Sequence, residues 1–477
     1  MSEVQTYFDE AVDIHHLFPQ KWCRDNGIEW KYCDSIVNKA PLTARTNRII
    51  GGNAPSDYLP RLQASVGIDA EHMDGHIRTH LVDPALLREA VRRLFEDGTG
   101  ASYSCAKGLD EGYARNGVPM PLARLRAKVG CNWTALPGIE YPIQDVTRHC
   151  LITPFLIAFY EIADDPTLPK TMEELWNRYI HHLSISCEAM KAGWDWHMTH
   201  QAQNTPEIVL NLFCHGPIER GMDASQGGVD LYNLTVDGVG LATVADSLAA
   251  IEQRVVNEKR LTWEQLAEVL RNDYAGAEDI RLMMKNIPRF GSGNSRGDYW
   301  AKRLSQTYTH LMGDTPTPMG FRILPGLFSH GDVVQLGKEL PATPNGRHAG
   351  MPISHSAEPD PGFMPDGTAA LTAKANAVAA VQPGRGNSAP LQLDIDKMLL
   401  YEEGGVEALE TLIKTHNAMG GTLINLNVIS KEKILEAHKD PSLYPDLVVR
   451  VTGYSAYFHS LSPQYRQQVV DRILAAG

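Results

Sequence analysis

The sequence has no long apolar run, no excess of basic charge and no cysteine pair of the CxxC type. No stretch reaches the about 18 apolar residues that span a bilayer, and the N-terminus is acidic where a signal peptide would be basic. Lys and Arg number 44 against 57 Asp and Glu, so the formal net charge is −13, and no basic arm is present to follow a phosphate backbone. We therefore expect a cytoplasmic protein that binds neither nucleic acid nor membrane.

The seven cysteines form an odd and scattered set in a chain of 477 residues. Such a pattern argues against a disulfide framework and indicates a reducing compartment, so the question becomes which thiol has a chemical role. His197 and His200 have the spacing of half a metal site, but no third ligand follows at an interpretable distance in the sequence. We therefore predict no metal in this chain.

Apolar periodicity divides most of the chain into helices and a few strands. Helices are predicted at about 83–95, 148–163, 171–192, 240–257, 262–273 and 430–438, and after Pro463. β-Branched runs predict strands at 422–429 and 447–451, and strands that alternate with helices favour an α/β fold with parallel strands. Gly238 and Gly240 have no clear strand before them and are interpreted as a helix-entry turn, not a dinucleotide site.

A nonamer near the C-terminus carries the strongest functional signal: Arg450-Val-Thr-Gly453-Tyr454-Ser-Ala-Tyr-Phe458. Taken alone, a glycine after a strand is most often a turn that needs a positive φ. The whole nonamer, however, resembles the glycyl radical signature of the glycyl radical enzymes, a family that includes pyruvate formate-lyase, the diol dehydratases and the arylacetate decarboxylases. A radical on a glycine Cα is stabilised by the flanking amide groups, and a side chain would crowd that planar centre.

A second set of motifs carries the same resemblance. Val129-Gly-Cys131-Asn-Trp133, followed by Leu136-Pro-Gly138 and Asp145, resembles the cysteine loop of that family and lies 322 residues before Gly453. Further segments that resemble family landmarks are 219–228 (ERGMDASQGG), 325–328 (PGLF) and 343–350 (TPNGRHAG). The resemblance covers about residues 80–477.

The resemblance implies a mechanism, a cofactor and several partners. The radical is stored at Gly453 and takes hydrogen from Cys131, and the resulting thiyl radical attacks a small-molecule substrate in an oxygen-sensitive, anaerobic enzyme. The glycyl radical is a post-translational modification. A separate activating enzyme installs it and holds the S-adenosylmethionine and the iron–sulfur cluster. We also expect a homo-oligomer.

Two positions beside Cys131 depart from branches of the family. The acyltransferase branch has a second cysteine where this chain has Asn132, so formate acetyltransfer is not expected. Dehydratases and many related lyases have a glutamate two residues after the cysteine for proton transfer, whereas Trp133 offers bulk, an apolar face and one N–H donor. We predict a lyase that cleaves a C–C bond, such as the decarboxylation of an arylacetate-like acid. The alternatives are a dehydratase or other C–O or C–N lyase, and a radical-bearing or non-catalytic subunit of a split enzyme.

Several other residues are candidates for the site. Trp133, Asp145 and Glu219 are expected to bind substrate or transfer protons, although each carboxylate alone would more often be a solvated or capping residue. Glu140 and His215 are further proton-transfer candidates, by proximity in sequence only. Cys214 is interpreted as a pocket or core thiol.

The resemblance also implies a fold and a division into domains. Family members form a ten-stranded α/β barrel, and this chain begins only 130 residues before its cysteine. We expect the C-terminal portion of that barrel with the N-terminal half-barrel largely absent. Another chain supplies the missing half, the lead-in replaces part of it, or the chain is a fragment. The predicted domains are an irregular lead-in (1–79), a barrel portion with the cysteine loop (80–340) and a glycyl radical domain (341–477).

Overall fold

The structure is a computed structural model. It describes residues 12–16, 20–25, 39–43, 88–92, 100–129, 131–144, 147–329, 332–360, 369–451 and 454–476. Three residues of the predicted site loops, Gly130, Asp145 and Gly453, lie outside these ranges.

Strands and helices alternate along most of the described chain. The strands are β1 (Val12–His16), β2 (Lys39–Thr43), β3 (Gly100–Ser104), β4 (Ala127–Val129), β5 (Trp133–Ala135), β6 (Glu140–Ile143), β7 (Arg148–Cys150), β8 (Leu231–Val239), β9 (Ile323–Gly326), β10 (Pro390–Asp396), β11 (Leu423–Ile429), β12 (Val448–Arg450) and β13 (Ser455–Tyr457). The α-helices are α1 (Gln20–Asp25), α2 (Ala106–Arg115), α3 (Met120–Ala123), α4 (Ile152–Asp164), α5 (Met172–Asn204), α6 (Ile208–Phe213), α7 (Pro217–Arg220), α8 (Leu241–Ala250), α9 (Trp263–Arg271), α10 (Glu278–Lys285), α11 (Arg296–Gly313), α12 (Val333–Lys338), α13 (Ala369–Ala380), α14 (Gly405–Ala418), α15 (Lys431–Lys439) and α16 (Pro463–Ala476).

Two sheets position the candidate site. In the first, β8 pairs in parallel with β6 and β7 along one edge and with β9 along the other. In the second, β10 and β11 are parallel and β3 is antiparallel to β11. The predicted α/β class with parallel strands is therefore confirmed.

The strands of both sheets bury one apolar and one polar face. On β8, Leu234 and Val236 belong to the large core that the helices cover, while Asn233, Thr235 and Asp237 alternate with them on the other face. The same alternation on β10 and β11 separates the apolar core positions from a set of buried polar ones: Gln392, Asp394, Asn425 and Asn427. The polar faces carry the chemistry described below.

A second, separate apolar core lies near the C-terminus. Its members come from β11 to α16, between Ile429 and Ile473, and include Phe458 and Val470. Polar contacts join this C-terminal unit to the second sheet. Arg472 pairs with the buried Asp394 at 3.0 Å. The division into domains at 340/341 stays a prediction.

One side of β10 is covered by charged side chains. A carboxylate oxygen of Glu358 accepts the backbone N–H of Gln392. Lys374 Nζ donates to the Gln392 carbonyl at 2.7 Å and pairs with Glu358 at 2.9 Å. Both backbone groups of Gln392 on this side are therefore bonded.

Two sequence predictions around β8 were wrong. Residues 148–150 form β7 beside β8, so the helix predicted at 148–163 begins only at Ile152. A strand does precede these glycines: Gly238 lies near the end of β8, and Gly240 directly follows that strand. The strand was not predicted because polar and apolar residues alternate along it. Gly240 begins α8 with a left-handed φ of 86°, so the helix-entry turn is confirmed.

Other elements follow the predictions with shifted ends. The helix predicted at 262–273 is confirmed as α9, and a capping box begins it, since the Thr262 and Gln265 side chains accept each other's backbone N–H at 3.2 and 2.9 Å. The helix predicted at 240–257 ends at Ala250 and continues as a π-helical segment, Ile251–Asn257.

In the lead-in, β1 and β2 pair antiparallel, so that segment is not wholly irregular. Of the helix predicted at 83–95, the structure describes residues 88–92, and these are helical. Within the described ranges, no helix is long and apolar enough to cross a membrane.

Candidate active site

Cys131 lies in the turn of the β4–β5 hairpin, in which Val129 pairs with Trp133. The next residue, Asn132, has a φ of 75°, a left-handed conformation that asparagine tolerates better than most residues. The Asn132 carbonyl accepts hydrogen bonds from Lys128 Nζ at 3.0 Å and from Ser388 Oγ at 2.7 Å. These two donors hold the backbone directly beside the Cys131 thiol.

A second hairpin, β12–β13, encloses the predicted radical position. Arg450 pairs with Ser455, and the Val451 N–H donates to the Tyr454 carbonyl at 3.0 Å across residues 452–453. Asn427 accepts the Arg450 N–H at 2.6 Å and donates to the Arg450 carbonyl at 2.9 Å. Asn427 on β11 therefore fixes the backbone of Arg450, three residues before Gly453.

The two hairpins meet at Cys131. Burial raises the pKa of the Cys131 thiol, and the positive charges of Arg450 and Arg148 partly offset that rise. The negative charge of Cys131, when ionised, raises the pKa of Tyr454 beyond the effect of burial. The thiol is thus within electrostatic range of Arg450 and Tyr454, which lie on either side of positions 452–453. A raised thiol pKa also keeps hydrogen on sulfur near neutral pH.

Ser102 on β3 links the same two hairpins through hydrogen bonds. Its hydroxyl accepts from Arg450 Nη2 at 3.0 Å and from Asn132 Nδ2 at 3.3 Å, and it donates to Asn425 Oδ1 at 2.7 Å. Residues of three separate segments therefore converge on one side-chain oxygen.

Trp133 forms an apolar wall next to Cys131. The indole is 4% exposed and packs against Phe328 with ring centroids 4.6 Å apart. Leu423 completes this cluster, and Cys131 packs against it. The predicted bulk of Trp133 beside the thiol is thus present, and Phe328 comes from the segment at 325–328.

Asp237 on β8 is a buried acidic residue next to Trp133. Asp237 was not identified as a candidate from the sequence. Its buried carboxylate is 3.7 Å from Arg148 Nη1, and its Oδ1 accepts from Asn387 Nδ2 at 3.4 Å. Burial raises the pKa of Asp237 to about 7, although the Arg148 charge, the Phe328 backbone N–H and the Trp133 side chain each lower it. An aspartate within a β-branched strand was the available signal, and it was lost because β8 itself was not predicted.

The other candidates lie apart from these contacts or outside the described residues. Glu219 is exposed at the start of α7 and accepts the Gly216 N–H at 2.9 Å. Glu140 is buried, accepts the Leu136 N–H at 2.6 Å, and has a pKa raised by burial to about 7. Asp145 lies outside the described residues. Cys214 is a buried thiol whose pKa is raised by burial.

The two histidines with metal-like spacing are engaged with tryptophans. His200 stacks on Trp196 and bonds its carbonyl at 2.7 Å, and His197 packs edge-on against Trp194. Among the residues whose placement is described, no three His, Cys, Asp or Glu side chains are grouped as metal ligands.

Comparison with known proteins connects this geometry to a family. The model of pyruvate formate lyase-like proteins matches residues 77–337, and the glycine radical model matches residues 361–459. Isethionate sulfite-lyase of Oleidesulfovibrio alaskensis is 30% identical over 322 residues, which is 65% of this chain and 37% of that protein. Indoleacetate decarboxylase of Tractidigestivibacter scatoligenes is 25% identical over 395 residues, 76% of this chain and 44% of that protein.

A solved structure shows the same architecture. The structure that describes 1,2-propanediol dehydration in Roseburia inulinivorans matches with a TM-score of 0.75 and 26% identity, and covers 82% of this chain and 51% of its own. The chain therefore spans about half of the length of this solved structure. It spans less than half of the length of the two curated relatives.

Proposed function

The chain belongs to the pyruvate formate lyase-like family, whose model alone matches more than half of its residues, and from this premise we propose that it is a glycyl radical lyase. In this proposal Gly453 stores the radical and Cys131 forms the thiyl radical that attacks the substrate. The glycine radical model, which spans Gly453, supports the first role.

One observation carries the proposal: the Ser102 hydroxyl accepts hydrogen bonds from Asn132, the neighbour of Cys131, at 3.3 Å and from Arg450, three residues before Gly453, at 3.0 Å. Hydrogen transfer requires the two reacting positions to be neighbours in space, although they are far apart in sequence. The Lys128 and Ser388 contacts to the Asn132 carbonyl support a thiol held in a fixed position.

Activation and spectroscopy test both residues. The protein is activated anaerobically with a radical S-adenosylmethionine activating enzyme, and its electron paramagnetic resonance spectrum is recorded. We expect a doublet that Gly453→Ala abolishes, while Gly193→Ala, in a helix with open space for a Cβ, keeps it. Cys131→Ser should keep the doublet but lose turnover, and Cys150→Ser, an equally part-buried thiol, should keep both. A doublet that survives Gly453→Ala contradicts the proposal.

For the reaction, we propose C–C cleavage by decarboxylation of an arylacetate-like acid. Trp133 and Phe328 give the thiol an aromatic wall, and Trp133 occupies the position at which many related lyases have a glutamate. The similarity to indoleacetate decarboxylase over most of this chain supports an aromatic acid. Carbon dioxide release from indole-3-acetate by the activated protein is the direct assay.

A second candidate is elimination at a C–O or C–S bond. It is favoured by 30% identity to isethionate sulfite-lyase and by the fold shared with the Roseburia structure. Parallel assays with isethionate and propane-1,2-diol distinguish the candidates. Product from either of these, with none from indole-3-acetate, replaces decarboxylation by elimination.

The activating enzyme is proposed to reach Gly453 by displacing the C-terminal unit. A core of its own and a largely polar attachment through Asp394 and Asn427 support such a movement. Protection from hydrogen exchange should decrease at 448–476 when the activating enzyme is added, and unchanged protection contradicts this step.

We also keep the prediction that another polypeptide completes the barrel. A group of apolar side chains around α6 that are 67–74% exposed supports it: Ile208, Val209, Leu212, Phe213 and Ile218. If a candidate partner completes the barrel, co-expression should yield a complex that Phe213→Glu weakens. A chain that is stable and fully active alone contradicts the prediction.

A further inference from the structure

We propose that Asp237 is the proton-transfer group of this site and replaces the glutamate that the cysteine loop lacks at position 133. This inference rests on the proposed radical mechanism, but it assigns a residue and a role beyond that mechanism. It places the carboxylate on β8, in a different segment from the thiol.

The geometry brings Asp237 to the thiol through two shared neighbours. Asn387 Nδ2 donates to Asp237 Oδ1 at 3.4 Å, and the next residue, Ser388, donates to the carbonyl of Asn132 beside Cys131 at 2.7 Å. Arg148 is 3.7 Å from Asp237 and close enough to Cys131 to lower the pKa of its thiol. Asp237 Oδ2 has no hydrogen-bond partner within 3.5 Å among the described residues and can accept a proton.

A glycine beside Asp237 leaves room for its carboxylate. Gly326 on β9 lies opposite it in the parallel register, and a Cβ there would overlap Asp237 Oδ1 and the amide of Asn387. The Phe328 backbone N–H also stabilises the charged form of the carboxylate. The site therefore holds Asp237 in place and leaves its Oδ2, which faces Arg148 Nη1 at 3.7 Å, without a hydrogen bond.

The charged and titratable groups next to Asp237 lie on two elements, β7 and α11. Arg148 on β7 favours the ionised form and is itself paired with Asp332 at 3.4 Å. Tyr308 on α11 has a hydroxyl whose pKa is raised first by burial and then by the charges of Cys187 and Asp237. Desolvation outweighs these contacts, so both protonation states of Asp237 are accessible near pH 7.

The proposed reaction needs one proton for each turnover. Cleavage of the C–C bond in ArCH2CO2− by the Cys131 thiyl radical moves one electron to sulfur and gives ArCH2•, CO2 and a thiolate. Protonated Asp237 gives its proton to the thiolate. The thiol then gives its hydrogen atom to ArCH2•, which forms ArCH3 and the thiyl radical again. Asp237 regains a proton from solvent, and the sum is ArCH2CO2− + H+ → ArCH3 + CO2.

The first test needs no radical. Infrared difference spectra of the unactivated full chain between pH 6 and pH 8 should contain a carboxylic acid signal that Asp237→Asn removes. Asn387→Leu removes a donor to the carboxylate and should move the midpoint of that signal to higher pH, because the charged form loses a hydrogen bond. Thr235→Val, on the same face of β8, is the matched control. Absence of any Asp237-dependent signal overturns the proposal.

The second test uses the activated enzyme with indole-3-acetate, isethionate and propane-1,2-diol. For the substrate turned over, Asp237→Asn should lower kcat by about 10²- to 10⁴-fold, with KM changed only a few-fold and the radical doublet intact. Asp237→Glu should restore part of kcat. In the wild type kcat should fall as pH rises through about 7, since the acid form is lost. Full kcat in Asp237→Asn refutes this role alone, whereas a wild type without a doublet refutes the radical mechanism.

Discussion

Arg450 donates to the Ser102 hydroxyl at 3.0 Å, which ties the strand before Gly453 to β3 of the second sheet. The same hydroxyl accepts from Asn132, the neighbour of Cys131. A single side chain therefore couples the positions of the two loops. Arg450 is half-buried, and burial lowers the pKa of its guanidinium.

Arg472 is expected to be the main attachment of the C-terminal unit. It pairs with the buried Asp394 and donates to the Val451 and Arg450 carbonyls at 2.9 and 3.1 Å. Arg472→Met leaves Asp394 buried without its cation, which costs about 3–5 kcal/mol. Hydrogen exchange at 448–476 should accelerate in this variant and stay normal in Arg466→Met, on the same helix. Equal exchange in both variants contradicts the expectation.

Gly326 should tolerate no side chain. A Cβ there meets the Asp237 carboxylate and the Asn387 amide well inside van der Waals contact. Gly326→Ala should destabilise the fold by about 1–3 kcal/mol through overpacking. Urea unfolding measures this loss, with Gly193→Ala as the reference substitution. A Gly326→Ala protein as stable as wild type shows that Asp237 can move aside.

Lys128 should make stability rise with pH in the alkaline range. Burial lowers the pKa of Lys128 from 10.5 to about 7, so between these values the unfolded chain binds more protons than the folded one. Relative to Lys128→Met, the wild type should gain about 2 kcal/mol of unfolding free energy between pH 7 and pH 9. Lys285→Met serves as the control. A pH-independent difference shows that Lys128 stays charged in the fold.

His149 should contribute to acid sensitivity. It is buried and bonds Ser186 Oγ at 2.8 Å, and burial lowers its pKa from 6.5 to about 4. The unfolded chain binds more protons than the folded one between pH 6.5 and pH 4, so stability is lost as pH falls through that window. His149→Gln should remove about 3 kcal/mol of this loss in denaturant titrations at pH 6.5 and pH 4. The exposed His181→Gln should not.

Elements and loops that are specified by residues close together in the sequence could be predicted from the sequence. Thr262 and Gln265 lie three residues apart, and the Cys131 loop has a recognisable order of residues, so neither needed knowledge of the fold. Asp237 and Arg148 could not be found in this way. Their roles depend on pairing between β7 and β8, and β8 alternates polar with apolar residues although both of its faces are buried.

The contacts of Glu358 and Lys374 with the Gln392 backbone have a consequence for self-association. An open strand edge offers free N–H and C=O groups on which a second chain can add a strand, and such additions can grow into fibrils. On β10 this side of Gln392 is already bonded to the two charged side chains. A chain that approached this edge would have to displace the Glu358–Lys374 ion pair, so the protein should resist polymerisation by strand addition here.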